Sequence, residues 1–161
     1  MAAKASAAAK HAGATVVARA VQHAAELCEA RGMRFTPIRR DVYSIMLRQR
    51  RPLSAYQLLE LMQAQQKRQL APLTVYRALD FLVESGLVHK LETAHSFVAC
   101  EHPDETHQSL YLLCTDCGST EEVATDKLAK LIDREANQRQ FQPSRQVVEI
   151  EGVCSDCSAK S

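Results

Sequence analysis

Apolar residues recur every three to four positions as far as Ser85, then fall into short alternating runs. The first half therefore predicts helices and the second half strands with one helix between them. Val16, Ala20, Ala24 and Leu27 share one face of an expected helix over residues 15–31, which Gly32 stops. Cys28 and His23, at the edge of that face, read as structural. Thr36-Pro37 pairs a capping hydroxyl with Pro at the first helical position, so a second helix starts there with Val42, Ile45 and Met46 turned inward. Ser54 caps a third, carrying Tyr56, Leu58, Leu59, Leu61 and Met62. A polar stretch from Gln63 to Gln69 leads to Pro72 and a fourth helix, from about Leu73 to Ser85, closed by Gly86.

Two short apolar segments follow, Leu87–Leu91 and Ser96–Ala99, joined by a hairpin-length connector, Glu92–His95. Helices followed by a small hairpin describe a winged helix-turn-helix. The polar segment from Glu101, containing Pro103, reads as a hinge. Beyond it, strands are expected at Ser109–Leu113, Thr120–Val123 and Gln146–Glu151, with a helix from Asp126 to about Arg139 whose stripe is Leu128, Leu131 and Ile132. The expected fold class is α+β: a winged-helix domain over residues 1–100, with 1–14 an unstructured lead-in, a hinge at 101–107, and a small α/β domain at 108–161. A unit of that size needs a partner copy or a structural metal to be stable.

Charge sharpens this division. Residues 1–90 carry 14 Lys and Arg against 6 Asp and Glu, a balance of +8, whereas residues 91–161 carry 6 against 13, a balance of −7. The basic half suits a phosphate backbone. On the fourth helix, Val75, Leu79 and Leu82 share one face and Arg77 lies opposite, flanked by Thr74 and Tyr76. An arginine there can fork onto guanine O6 and N7 in a major groove, and Tyr76 and Thr74 can donate to phosphates. Arg39, Arg40, Arg50, Arg51, Lys67, Arg68 and Lys90 are further phosphate candidates. Tyr56 is either a core aromatic or a groove contact, and the pattern alone favours the core.

No apolar run approaches the roughly 18 residues of a membrane span, and the Ala-rich start has no continuous apolar stretch, so a cytosolic chain with reduced cysteines is expected. Two Cys-x-x-Cys pairs, Cys114/Cys117 and Cys154/Cys157, then read as one closed tetrahedral Zn²⁺ site. With 36 residues between the pairs, the metal would staple the C-terminal residues onto a folded segment. Disulfides and redox-active pairs are the competing readings, and two Cys-x-x-Cys pairs in a reducing compartment favour metal over both. A second constellation, His89, Cys100, His107 and Glu122, would suit Zn²⁺ in a mixed S/N/O set, with His95, His102 and Glu121 as competitors. Ligands from both halves would fix their relative orientation only with metal bound. Nothing pairs a nucleophile with a base, so no catalytic role and no small-molecule substrate are expected.

The chain resembles the ferric uptake regulator family, and most closely its zinc-responsive branch. The residues that carry the likeness are Arg34–Arg39, Leu53–Leu59, Pro72–Leu82, Gly86–Lys90, Thr106-His107, Cys114–Gly118 and Gly152–Cys157, in that order, within residues 20–157. The His-rich run that precedes the first Cys pair in the iron- and peroxide-sensing branches is absent; Asp104–Leu110 looks like the zinc branch instead. The resemblance implies a homodimeric repressor that binds operators of zinc-uptake genes when zinc occupies a sensor site. It implies structural zinc on the four paired cysteines and regulatory zinc on His89, Cys100, His107 and Glu122, two ions per chain. The alternatives are a family member that senses iron, manganese or peroxide, a structural zinc module that binds DNA or protein constitutively, and, remotely, a thiol-redox protein.

Overall fold

The computed structural model describes residues 13–49, 51–104, 109–124, 126–143 and 146–159. The lead-in before Gly13, Arg50 and the stretch 105–108 with His107 lie outside them. The chain divides after Asp104 into two compact units.

Among its described residues the first unit has four helices and a hairpin: α1 (Ala14–Ala30), α2 (Pro37–Gln49), α3 (Ala55–Gln66), α4 (Pro72–Glu84), β1 (Val88–Leu91) and β2 (Ser96–Ala99). Its core joins Ala24 and Cys28 of α1 to Val42, Tyr43, Ile45 and Met46 of α2, Leu58, Leu59 and Met62 of α3, and Val75, Ala78, Leu79 and Leu82 of α4. Phe35, before α2, stacks on Phe81 with ring centroids 6.4 Å apart and meets Tyr43 edge-on at 6.3 Å. The inward face of α1 differs from the expected one. Val17, Ala24 and Cys28 are its buried residues and Val16 is 62% exposed, so the stripe is turned by one residue. Near the helix start Val16 and Val17 fit the period equally, and only packing separates them.

Helix ends follow local chemistry. Ser54 Oγ accepts from Gln57 N at 3.2 Å while Ser54 N donates to Gln57 Oε1 at 2.9 Å, a reciprocal capping box that starts α3. Helix α1 closes with Met33 N donating to Cys28 O at 2.8 Å, and α4 closes with Leu87 N donating to Leu82 O at 3.0 Å. Gly32 and Gly86 take the left-handed position that this closure requires, with φ of 67° and 74°.

The wing has a third member that the sequence pattern does not predict. Leu53, ahead of α3, exchanges both backbone hydrogen bonds with Phe97 of β2, at 3.0 and 2.9 Å, and so ties the hairpin to the helices. Arg31 at the end of α1 donates to Ser85 O at 2.7 Å and to Pro103 O at 3.3 Å, and His23 lies 2.6 Å from Asp104 Oδ1. Cys28 is buried in the core, as expected, and His23 is exposed beside Asp104.

The second unit holds β3 (Ser109–Cys114), β4 (Thr120–Ala124), α5 (Asp126–Gln138), β5 (Val148–Gly152) and the single turn α6 (Ser155–Ser158). Strand order is β4-β3-β5, with β4 antiparallel and β5 parallel to β3. β4 ends and β5 begins beside the start of β3, so the connection through α5 and the loop after it returns the chain to the same end of the sheet. Both units together make the α+β architecture expected.

Candidate nucleic-acid interface and metal centre

Helix α4 buries Val75, Ala78, Leu79, Phe81 and Leu82, which leaves Leu73, Tyr76, Arg77 and Asp80 on its outer face. Arg77 is exposed, Tyr76 is exposed and Thr74 is half-buried, which is the disposition expected of them. Tyr56 is 67% exposed in the first turn of α3, so the pattern's preference for the core is overturned. Ala55, Leu58, Leu59 and Met62 fill the inward face and turn Tyr56 out.

The surrounding basic residues separate into two groups. Arg39 lies over the Phe81 ring, 3.6 Å from its centroid, and donates to Arg34 O; Arg40 lies 5.5 Å over Phe35 and donates through Nε to Phe35 O at 3.2 Å. These two arginines clamp the start of α2 against the aromatic cluster. Lys90 pairs with Glu92 at 2.6 Å and Arg68 with Gln66 at 2.8 Å, both at the surface. Arg51 and Lys67 are exposed.

In the second unit the four paired cysteines converge, with their sulfurs all within 4.8 Å of one another. No disulfide joins any of the six cysteines among the described residues. The first pair sits in the turn between β3 and β4, where Gly118 takes φ of 69° and its N–H donates to Cys114 O at 2.9 Å. The second pair brackets α6, and Cys154 N donates to Cys114 Sγ at 3.3 Å. Thr115 N donates to Gly152 O at 2.8 Å, so the parallel β3–β5 register itself brings the two pairs together.

Electrostatics at this cluster invite a cation. The Cys154 and Cys117 amides hold the Cys114 thiol down at about 6. Ser119, 3.1 Å from Cys117 Sγ, lowers that thiol as well. Cys157 is pushed up to about 12, first by Cys154 and then by the other crowded sulfurs. The crowded sulfurs therefore resist carrying negative charge together, and a bound cation would relieve this. A tetrahedral zinc with bonds of about 2.3 Å needs sulfur–sulfur edges of about 3.8 Å. Cys117 and Cys154 meet that edge at 3.8 Å. The residues fit zinc in both chemistry and spacing.

In the first unit, His89 of β1 and Cys100 after β2 bring their ligand atoms within 4.8 Å. Strand register explains this. His89 stands opposite Val98, and the Cys100 amide donates to Leu87 O at 3.0 Å, which extends the ladder one pair further. His89 and Cys100 are thus diagonal neighbours on one face of the hairpin. Cys100 is buried and His89 half-buried. Glu122, in the second unit, is half-buried on β4 opposite Tyr111.

Against known proteins, the ferric uptake regulator family matches residues 30–151. The chain belongs to this family. Among relatives, it is 36% identical over 144 residues to the zinc uptake regulation protein of Escherichia coli K12, covering 89% of this chain and 84% of that one. Among solved structures, it is similar to a zinc uptake regulator complexed with zinc and DNA, with TM-score 0.84, 35% identity, and 89% and 96% of the two chains covered. It is also similar to holo XcZur, with TM-score 0.78, 38% identity, and 86% and 96% covered. Among the described residues, no helix is long and apolar enough to cross a membrane.

Sequence reasoning found the four-cysteine set whole, because Cys-x-x-Cys is a local signature. It missed Leu73, whose apolar character disguised an outward position. It also missed the Leu53–Phe97 bridge, since a single residue pair leaves no period to detect.

Proposed function

We propose that this chain is a zinc-responsive transcriptional repressor that binds operator DNA. The observation that carries this is its similarity along 89% of its length to a zinc uptake regulator complexed with zinc and DNA. The outward Tyr76 and Arg77 on α4 support it, since a winged helix that reads DNA presents such a face to the major groove. Arg77 is the base-reading residue; Tyr76, Thr74 and Tyr56 contact the flanking backbone or base edges.

Two zincs per chain belong to this reading. Cys114, Cys117, Cys154 and Cys157 hold the structural one, supported by their convergence and sulfur spacing. His89, Cys100, His107 and Glu122 hold the regulatory one. For these four the support is the family resemblance, together with the shared hairpin face of His89 and Cys100. A thiolate and imidazole in the set favour zinc over Fe²⁺ or Mn²⁺. Free-energy linkage requires operator DNA to tighten the regulatory zinc in return.

The working form is a homodimer. Leu112, Ile150 and Leu131 are exposed apolar residues in the small second unit, where a second copy would cover them. Two winged helices then meet successive half-sites of a pseudo-palindromic operator in front of zinc-uptake genes. A reducing cytoplasm, where thiols stay available to a metal, belongs to this reading.

Operator binding measured across buffered free Zn²⁺, Fe²⁺ and Mn²⁺ tests the proposal. Zinc should stimulate binding at the lowest free concentration. Stimulation by Fe²⁺ at lower free metal than Zn²⁺ would reassign the sensor.

A further inference from the structure

Leu73 is 57% exposed on the outer face of α4. Scattered apolar exposure is ordinary, but this residue has a specific setting. It is the second residue of the helix, after Pro72, and it lies four residues before Arg77 and seven before Asp80, on the same face. Nothing in the helix start requires a leucine there. The pair that commonly staples a helix entry, before the cap and at the fourth position, is Leu70 and Val75, and both join the core. Gln63 Nε2 further fixes the entering chain by donating to Leu70 O at 3.2 Å. Leu73 is left over from packing, at the end of the helix that enters a major groove first.

The chemistry of that groove offers one good partner for an aliphatic side chain, the thymine C5-methyl group. Arg77 selects guanine through its fork, whereas a branched aliphatic group can reward only the methyl. We infer that Leu73 is a specificity-determining residue that reads a thymine methyl, about one helical turn along α4 from the base read by Arg77. This rests on the DNA-binding proposal above and extends it to a second base position.

Deoxyuridine isolates the effect, because it differs from thymidine only by that methyl. The zinc-loaded full-length protein would first be used to enrich a binding duplex from a random library. Each thymine in the enriched duplex is then replaced by deoxyuridine, and affinity is measured by fluorescence anisotropy. One replacement should weaken binding about fourfold, the factor expected for losing one buried methyl-sized group. With Leu73→Ala the difference between thymine and uracil at that position should vanish, and with Leu73→Ile it should return. Alanine at an exposed helical position keeps the fold, which circular dichroism would verify. Equal sensitivity of wild type and Leu73→Ala at every position overturns the assignment of Leu73 alone. Failure to enrich any duplex overturns the DNA-binding proposal and this inference with it.

Discussion

Cys117 Sγ and Cys154 Sγ lie 3.8 Å apart across 37 residues of chain. Their separation in sequence means that the contact closes β4, α5 and β5 into one loop. Whatever binds these sulfurs therefore holds the second unit together, because that loop contains most of its regular structure. The most conspicuous motif of the sequence is in this sense architectural.

Cys154→Ser should therefore remove one tightly held zinc per chain and unfold the second unit while leaving the first folded. Structural zinc is worth on the order of 10 kcal/mol in small domains, far more than a three-stranded sheet can replace. Metal analysis with circular dichroism melting reads both effects. A variant that keeps its zinc and its sheet contradicts the assignment.

His89→Ala should behave differently. The protein should stay folded and dimeric and keep its tightly held zinc, but zinc should no longer stimulate DNA binding. Sedimentation and anisotropy measured on the same preparation separate these outcomes. A monomeric or unfolded variant would move His89 from sensing to structure.

Arg77→Ala should cost about 1–3 kcal/mol in discrimination between the preferred duplex and one changed at the contacted base. Binding to unrelated DNA should change little. A uniform loss on every duplex would make Arg77 a phosphate contact instead.

Alkaline pH should destabilise the first unit. Burial raises the Cys28 thiol above its ordinary 9.0, and burial, with Cys100 next, pushes the Tyr43 phenol well above 10.0. Both groups hold their protons more tightly folded than unfolded. Their contribution is complete below the unfolded values and declines as pH rises from about 9 through the folded ones. Urea midpoints at pH 8 and pH 10.5, at roughly fixed ionic strength, should fall with pH in the wild type. Cys28→Ala with Tyr43→Phe should flatten that fall.

Much of this was legible in the sequence because the signals were local. Ser54 announces a helix cap, Gly32 and Gly86 announce helix closures, and the paired cysteines announce a cluster of four sulfurs. Where two solutions have nearly equal local merit, the sequence was mute. Val16 and Val17 fit one helical period alike, and only the neighbouring helices select Val17. Arg39 and Arg40 looked like free cations until Phe81 and Phe35 gave them rings to cover. The pattern leaves Tyr56 between core and groove, and Ala55, Leu58 and Leu59 turn it outward by filling the inward face. His89 and Cys100 stand eleven positions apart, and only the hairpin register places them on one face. Gln140 closes α5 at φ of 54°, where a sequence reader expects glycine.

The most direct test of the central claim is a zinc titration against operator affinity, with zinc per chain counted in the same samples. Two zincs per chain are predicted, one retained through mild chelation and one exchangeable, with operator affinity rising as the exchangeable one fills. Unchanged affinity while that zinc is removed and restored would contradict the account.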